Sequence, residues 1–463
     1  MTVAPPQITP SEALAELGTW AAGSPLAEAG EGARSALERA VANLLAVTAG
    51  AASLPEQAEL RAVWTPDGGP ATLIGTGRGV SVEAAVWLNS VSSVATERDE
   101  GNRYSKGHPA AQTVFAVLAL AESRKLSGPR VWEALYVAYE IAARVGRATS
   151  FSPLVHTHGP LGAAGAAAGC AVLLGADAAV IARAIDTGAA MAPATSWTAV
   201  HSGSAVRDQW VGAGALAGLA AARYAVAGMP GGAGGIGRTF GGVFGAIDLD
   251  LLVDGLGQGS LVSSSYLKQH SACAYTHGPA DAALGVRAQL HAAGIGVDSI
   301  RSVRVDGVAS AAALPAREWT SRHGAYFSVP FAVSSALLYG DVGAERARVP
   351  APAEHAALAR LVDVHDDTVA LAPRTPTSRP ARVSVIVEDA RVFSSAVSHP
   401  QGDAVDTPFS PERIDALLSE ALSPLGLDAA AVRATLAAMH DPAPGALTTA
   451  LSHLTPLREG ALR

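Results

Sequence analysis

Apolar residues recur at three- and four-residue spacing from Ala33 to about Val47, from Pro109 to Ser123 and from Arg130 to Arg147, which predicts three amphipathic helices. In the last of them Val131, Leu135 and Tyr139 share a face, and Gly146 reads as its stop. Ahead of these, Thr9-Pro10-Ser11-Glu12 combines a capping hydroxyl, a proline suited to the first helical position and a carboxylate three residues after the cap. A helix is expected to begin there. Two further stretches, Gly162–Leu174 and Gly212–Ala227, are almost wholly Ala and Gly with a few Leu or Val. Such helices suit close axial approach on all sides, so both are expected at the centre of a bundle.

The period changes after about Leu267. Ser302–Val308 (SVRVDGV) and Arg382–Glu388 (RVSVIVE) alternate polar and β-branched residues, and Pro-rich stretches at Val349–Ala353 and Ala372–Pro380 lie between them. These read as half-buried strands in an α+β section. From Pro411 the pattern is helical again, in PERIDALLSEAL and LDAAAVRATLAAMH, and these short apolar faces are expected to dock on the first bundle. The order is therefore helical, α+β, helical, with no repeat of fixed period.

Composition narrows the function classes. Of 463 residues only 16% are charged and 49% are hydrophobic, against roughly 25% charged in ordinary soluble domains, so a large core or subunit interface is required. The formal net charge of −8 argues against nucleic acid or an anionic membrane as partner. The most apolar stretches are Ala- and Gly-rich and fall short of a membrane span, roughly 20 strongly apolar residues. The opening MTVAPPQITPSEAL lacks the basic start and apolar run of a signal peptide, and Cys170 and Cys273 are too few for a disulfide framework or a thiolate-held cluster. A reducing cytoplasm is expected.

Gly232-Ala233-Gly234-Gly235-Ile236-Gly237 matches GxGxxG, but an Ala-rich helix rather than a strand precedes it, so no dinucleotide site is expected. The 13 histidines are more informative, because several stand beside Gly, Pro or Thr where helices break: Gly107-His108-Pro109, His156-Thr157-His158-Gly159 and Tyr275-Thr276-His277-Gly278. Irregular segments at helix ends are where catalytic groups can be aimed into a cleft. Taken singly, each histidine is more simply one satisfied by a neighbouring carbonyl. His156 and His158 have half the spacing of a metal site, yet no HExxH or Cys/His cluster accompanies them, so no metal is expected. Glu97-Arg98-Asp99-Glu100 lies just before His108, Arg207 stands at the start of a helix with little charge, and Lys268 precedes Cys273 and His277. Each alone reads as a solvated charge.

The order of these segments changes the odds. ERDEGNRYSKGHPAAQ, GPRVWEALYVAYEIAARVGRA, VHTHGPLGAAGAAAGCAVLLGAD, AVRDQWVGAGALAGLAA, YLKQHSACAYTHGPADA, AYFSVPFAVSSALLYG and HPQGDAVDTPFSPERIDALL together resemble the MmgE/PrpD family, which includes 2-methylcitrate dehydratases, cis-aconitate decarboxylases and an iminodisuccinate epimerase. The resemblance implies a mainly α homodimer. A large all-helical domain, residues 1–266 with the tail 406–463, would carry a smaller α+β lid domain, residues 267–405, and the active site would lie in the cleft between them. It implies no metal or organic cofactor, a small carboxylic-acid substrate, and a hydro-lyase reaction; decarboxylation or epimerisation of a similar acid is the alternative, and a non-catalytic metabolite-binding dimer the alternative of another class. By the same resemblance His108 is a catalytic histidine, with Glu97 and Asp99 as the acidic group upstream. His156 or His158 is the second histidine, and Lys268 and His277, bracketing the lid segment, join the catalytic set. For elimination without a metal, His108 with one of His156 and His158 would be the acid–base pair, and Arg207 with Lys268 would hold the acid substrate. Arg207 replaces a lysine of the decarboxylase-like members, and Cys273 lies where those members place a further histidine. Both departures argue against cis-aconitate decarboxylation.

Overall fold

The computed structural model describes residues 8–64, 68–231, 234–375 and 378–456. Helix α1 (Pro10–Ala22) starts at the capping box, with the Glu12 amide donating to the Thr9 hydroxyl and the Thr9 amide donating to the Glu12 carboxylate at 2.9 Å. Then follow α2 (Gly30–Ala51), α3 (Val82–Val94), α4 (Val114–Ser123), α5 (Pro129–Ala148), α6 (Pro160–Leu173), α7 (Ala178–Ala190) and α8 (Val206–Val226). All-round burial of α6 is the reason for its composition. A Cβ at Gly165 would stand 2.5 Å from the Ala138 carbonyl and one at Gly169 2.6 Å from that of Ala134, so α5 and α6 touch backbone to backbone. The same expectation for α8 holds only on one side, because Ala220, Arg223 and Tyr224 are exposed.

Two helix boundaries differ from the pattern, and both differences serve the site described below. Residues 109–113 form turns rather than the first turn of α4, because the Ala110 amide donates to the Glu100 carboxyl and the turn is held from outside. Helix α5 runs through Gly146 to Ala148. That glycine is not a stop: a side chain there would collide with the Ser105 carbonyl, so its absence lets the 103–108 loop lie on the helix.

Two short strands, β1 (Gly101–Asn102) and β2 (Ser265–Tyr266), pair antiparallel, and a four-stranded sheet follows, built from β3 (Ile300–Gly307), β4 (Val362–Asp366), β5 (Ala381–Val387) and β6 (Val392–Val397). Its order is β6-β5-β3-β4, with β3 and β4 parallel and the other pairs antiparallel. Strand β5 alternates buried and exposed, laying Val383 and Val385 in one cluster with α9 (His277–Ala292) and α10 (Val329–Tyr339). That cluster, apart from Val200, draws on residues 272–387. A second, larger one draws on residues 13–262 and takes in Leu418, Leu422, Val432 and Leu447 from α11 (Pro411–Leu422), α12 (Ala429–Met439) and α13 (Ala446–Ser452). The molecule is thus mainly α with a smaller α+β part. Among the described residues no helix is long and apolar enough to cross a membrane. Gly232 and Ala233 of the glycine motif lie outside the described residues; the remainder leads into a π-helix, Gly235–Val243, after α8, so the strand a dinucleotide fingerprint requires is not what precedes it.

Candidate active site

The pairing of β1 with β2 sets Gly101 opposite Tyr266 and Asn102 opposite Ser265. Continuing that register by two residues brings Asp99 opposite Lys268, and the Lys268 ammonium donates to Asp99 Oδ1 at 3.2 Å and to Glu97 Oε2 at 2.8 Å. On the other side of Glu97 stands the Arg207 guanidinium, which also pairs with Asp208 at 3.0 Å and donates to the Val94 carbonyl at 3.1 Å. All five side chains are almost fully buried. Three carboxylates against two permanent cations are completed by His323, 2.8 Å from Asp208, and by His108, 2.7 Å from Asp99. Glu97 itself takes a left-handed backbone, φ 52°, a conformation of order 1–3 kcal/mol above the usual ones and held only by its surroundings.

His108 is presented by a closed loop. Asn102 exchanges backbone hydrogen bonds with Gly107 and its Oδ1 accepts from the Tyr104 and Ser105 amides. The ring nitrogen Nδ1 lies 2.7 Å from Asp99 Oδ2 and 2.6 Å from the Glu100 carbonyl. Both neighbours are acceptors, so Nδ1 carries a proton and Nε2 is left as the chemically available nitrogen. Burial would raise the Asp99 carboxyl, but His108, Lys268 and Arg207 outweigh it and hold the group below the usual carboxylate range. Asp99 therefore stays anionic and can support an imidazolium.

His156 and His158 lie in the turn before α6. The His158 ring meets His108 edge-on at 4.7 Å between centroids, and His156 packs on His158 at 4.6 Å and on Trp197 at 4.4 Å. Burial first, then the Arg207 charge, pushes both well below the ordinary imidazole range, so both are neutral at pH 7. The His158 amide donates to His156 Nδ1 at 3.2 Å, which places the proton of neutral His156 on Nε2. Arg207 Nη2 faces His158 Nε2 at 3.4 Å; a guanidinium has no lone pair to offer, so this nitrogen is the acceptor and Nδ1 bears the proton. That Nδ1 has no hydrogen-bond partner. A neutral His158 with Nε2 occupied is a hydrogen-bond donor rather than half of an acid–base pair.

These groups border a cavity of about 540 Å³ lined by Glu97, His108, His156, His158 and Arg207 from the helical part, by Tyr266 on β2, and by Cys273, Tyr275 and Arg379 from the α+β part. Lys268 and Asp99 stand behind that wall, and His277 faces a separate small void, its Nε2 against the Ala272 carbonyl at 3.1 Å. Lys268 therefore acts on the cavity through Glu97 and Asp99, its charge being fully engaged by them. Burial pushes the Cys273 thiol up to about 11, leaving it protonated at neutral pH and a poor nucleophile. The Asp99, His108 and His158 ligand atoms lie within 4.8 Å of one another. A cation placed among them would compete with Lys268 for Asp99 and with Arg207 for His158 Nε2.

One neighbour was not singled out in the sequence. Burial pushes the Glu100 carboxyl up to about 8, with Asp99 adding to the effect and the Tyr139 hydroxyl, donating at 2.7 Å, opposing it. Its folded form keeps a proton that the unfolded chain releases above about pH 4.3. Its contribution to stability is therefore full below that pH, declines as pH rises, and is gone above about 8. E100Q cannot ionise. The melting temperature of the wild type relative to E100Q should fall between pH 5 and 8 and level off above; a difference that does not change with pH would show Glu100 to be ionised in the fold.

Residues 15–246 match the MmgE/PrpD N-terminal domain and residues 270–436 the MmgE/PrpD C-terminal domain. The chain belongs to the MmgE/PrpD family. No curated protein matched it.

Proposed function

We propose that this MmgE/PrpD protein is a lyase that removes water from a small hydroxycarboxylic acid, in the manner of the 2-methylcitrate dehydratases of its family, using its own side chains and no cofactor. The reading is carried by the Asp99–His108 pair, whose protonated Nδ1 and anionic partner leave Nε2 as a base at the cavity wall. His108 Nε2 takes the proton next to the substrate carboxylate; the C–H electron pair forms the new C=C bond as the C–O bond to the neighbouring carbon breaks. The imidazolium so formed, stabilised by Asp99, returns its proton to the departing hydroxyl as water. His158, held neutral beside the Arg207 charge, lines the cavity edge-on to His108 and does not compete with it for the proton. As the family resemblance implies, the α+β part acts as a lid and the working unit is a homodimer.

The test is to incubate the protein with a panel of hydroxy-di- and tricarboxylic acids in deuterated water and analyse the products. An unsaturated acid formed without CO₂ supports dehydration. Deuterium in recovered substrate with no alkene would convert the reading to epimerisation, and CO₂ release to decarboxylation, since both share the first proton transfer. Binding without turnover of any acid would leave only the non-catalytic dimer.

A further inference from the structure

The cations expected to hold the substrate are already neutralised. Arg207 is shared by Glu97 and Asp208, and Lys268 is buried against Glu97 and Asp99. Of the other basic residues on the cavity wall, Arg103 is paired with Asp403 at 2.6 Å and Asp406 at 3.5 Å. The Lys106 ammonium donates to three carbonyls near the end of α5, those of Gly146, Arg147 and Thr149. Arg379 differs from all of these. Its guanidinium carbon lies 5.3 Å from the ring centroids of both Tyr266 and Tyr275, and among the described residues it is in no ion pair with a carboxylate. The two rings, with a hydrogen bond to the Tyr266 hydroxyl, steady the guanidinium without neutralising its charge and leave it further N–H donors. The backbone there is fixed as well: a Cβ at Gly278 would stand 2.5 Å from the Arg379 carbonyl. The glycine after His277 is thus what lets the first turn of α9 seat this arginine at the cavity.

We infer that Arg379 is the substrate anchor: it binds, through paired N–H donors, a carboxylate of the substrate remote from the carbon that His108 deprotonates, and so selects acids bearing a second carboxylate. The inference rests on the proton-transfer reading for the words "remote" and "substrate", but its charge argument is independent of it. The anchor supplies orientation as well as affinity, because a planar fork fixes the direction of the acid it grips.

Isothermal titration with two pairs of probes, succinate with succinamate and glutarate with glutaramate, isolates one carboxylate in each pair. The wild type should bind the dicarboxylate of at least one pair about ten- to a hundredfold more tightly than its half-amide, the range of a hydrogen bond to a charged group. R379Q should bind both members alike, and R379K, which keeps a charge but not the fork, should retain part of the preference. Unfolding midpoints of both variants establish that the fold is intact, and R379K keeps the test open should R379Q not fold. An R379Q protein that keeps the preference, or a wild type that shows none, overturns the anchor. Turnover in the product assay with an unaltered preference in R379Q would sink the anchor alone. Loss of the preference in R379Q without turnover of any acid would sink the lyase reading and leave the anchor standing.

Discussion

Replacing His108 by asparagine should lower turnover of the true substrate by about 10²–10⁴, the range contributed by one positioned acid–base group, while leaving its binding within a few-fold. Asparagine can still donate to Asp99 or to the Glu100 carbonyl from the place of Nδ1, so the loop needs little rearrangement, but it has no nitrogen that can take a proton at the cavity wall. D99N should fall in the same range for a different reason. The amide keeps one contact to His108 Nδ1, 2.7 Å away in the wild type, yet removes the charge that stabilises the imidazolium. The two changes act on one step, so the double variant should be little slower than either single one. Loss of deuterium exchange at the substrate carbon in H108N ties the effect to proton abstraction. A fall of less than about threefold in H108N, with the protein folded, would remove His108 from the chemistry.

Much of the helical framework was legible because local periodicity reports local burial. Val131, Leu135 and Tyr139 do form a buried face of α5, and the Thr9–Glu12 box does start α1. Gly146 was misread since a glycine near the end of an apolar pattern is ordinarily a stop, whereas here its reason is the Ser105 carbonyl on another segment. Strand β4 is hidden because VDVHD is short and half charged, and the alternation of β6 is nowhere fully buried. For the site, the histidine-bearing breaks pointed to His108, to His156 or His158 without choosing between them, and to His277, because an irregular segment beside Gly or Pro is a local feature; His277 lies at a separate void. What stood outside the sequence was who neutralises whom. That Lys268 meets Glu97 and Asp99 depends on a two-residue strand pairing between segments some 170 positions apart and is set by register alone. Arg379 carries no motif; it becomes informative only once the other cations are seen to be engaged. Glu100, in the Glu97–Glu100 run, read as a solvated charge for the same reason, and Asp208 and His323 were not singled out.

Removing the Lys268 charge should be the most destabilising single change in the site. In K268M the apolar stem is kept, but Glu97 and Asp99, both buried, lose the ammonium they share at 2.8 and 3.2 Å. Breaking a buried pair by deleting one partner costs about 3–5 kcal/mol, because the remaining charge is left in a medium that solvates it poorly. Here Arg207 and His108 still face the two carboxylates, which places the expected loss at the lower end, about 3 kcal/mol. The decisive comparison is with E97Q and with E97Q/K268M. If the lysine serves to neutralise, the double variant, which removes one charge of each sign, should melt well above K268M, whereas a lysine that mattered for packing alone would give additive losses. The same set separates support from catalysis. Lys268 stands behind the cavity wall, so K268M should change the pH dependence of turnover through Asp99 and His108 more than it changes the affinity for a dicarboxylate, which Arg379 is expected to set. A K268M protein that melts like the wild type would mean that the two carboxylates are not held as anions by this lysine, and the electrostatic account of the site would have to be rebuilt on Arg207 and His108 alone.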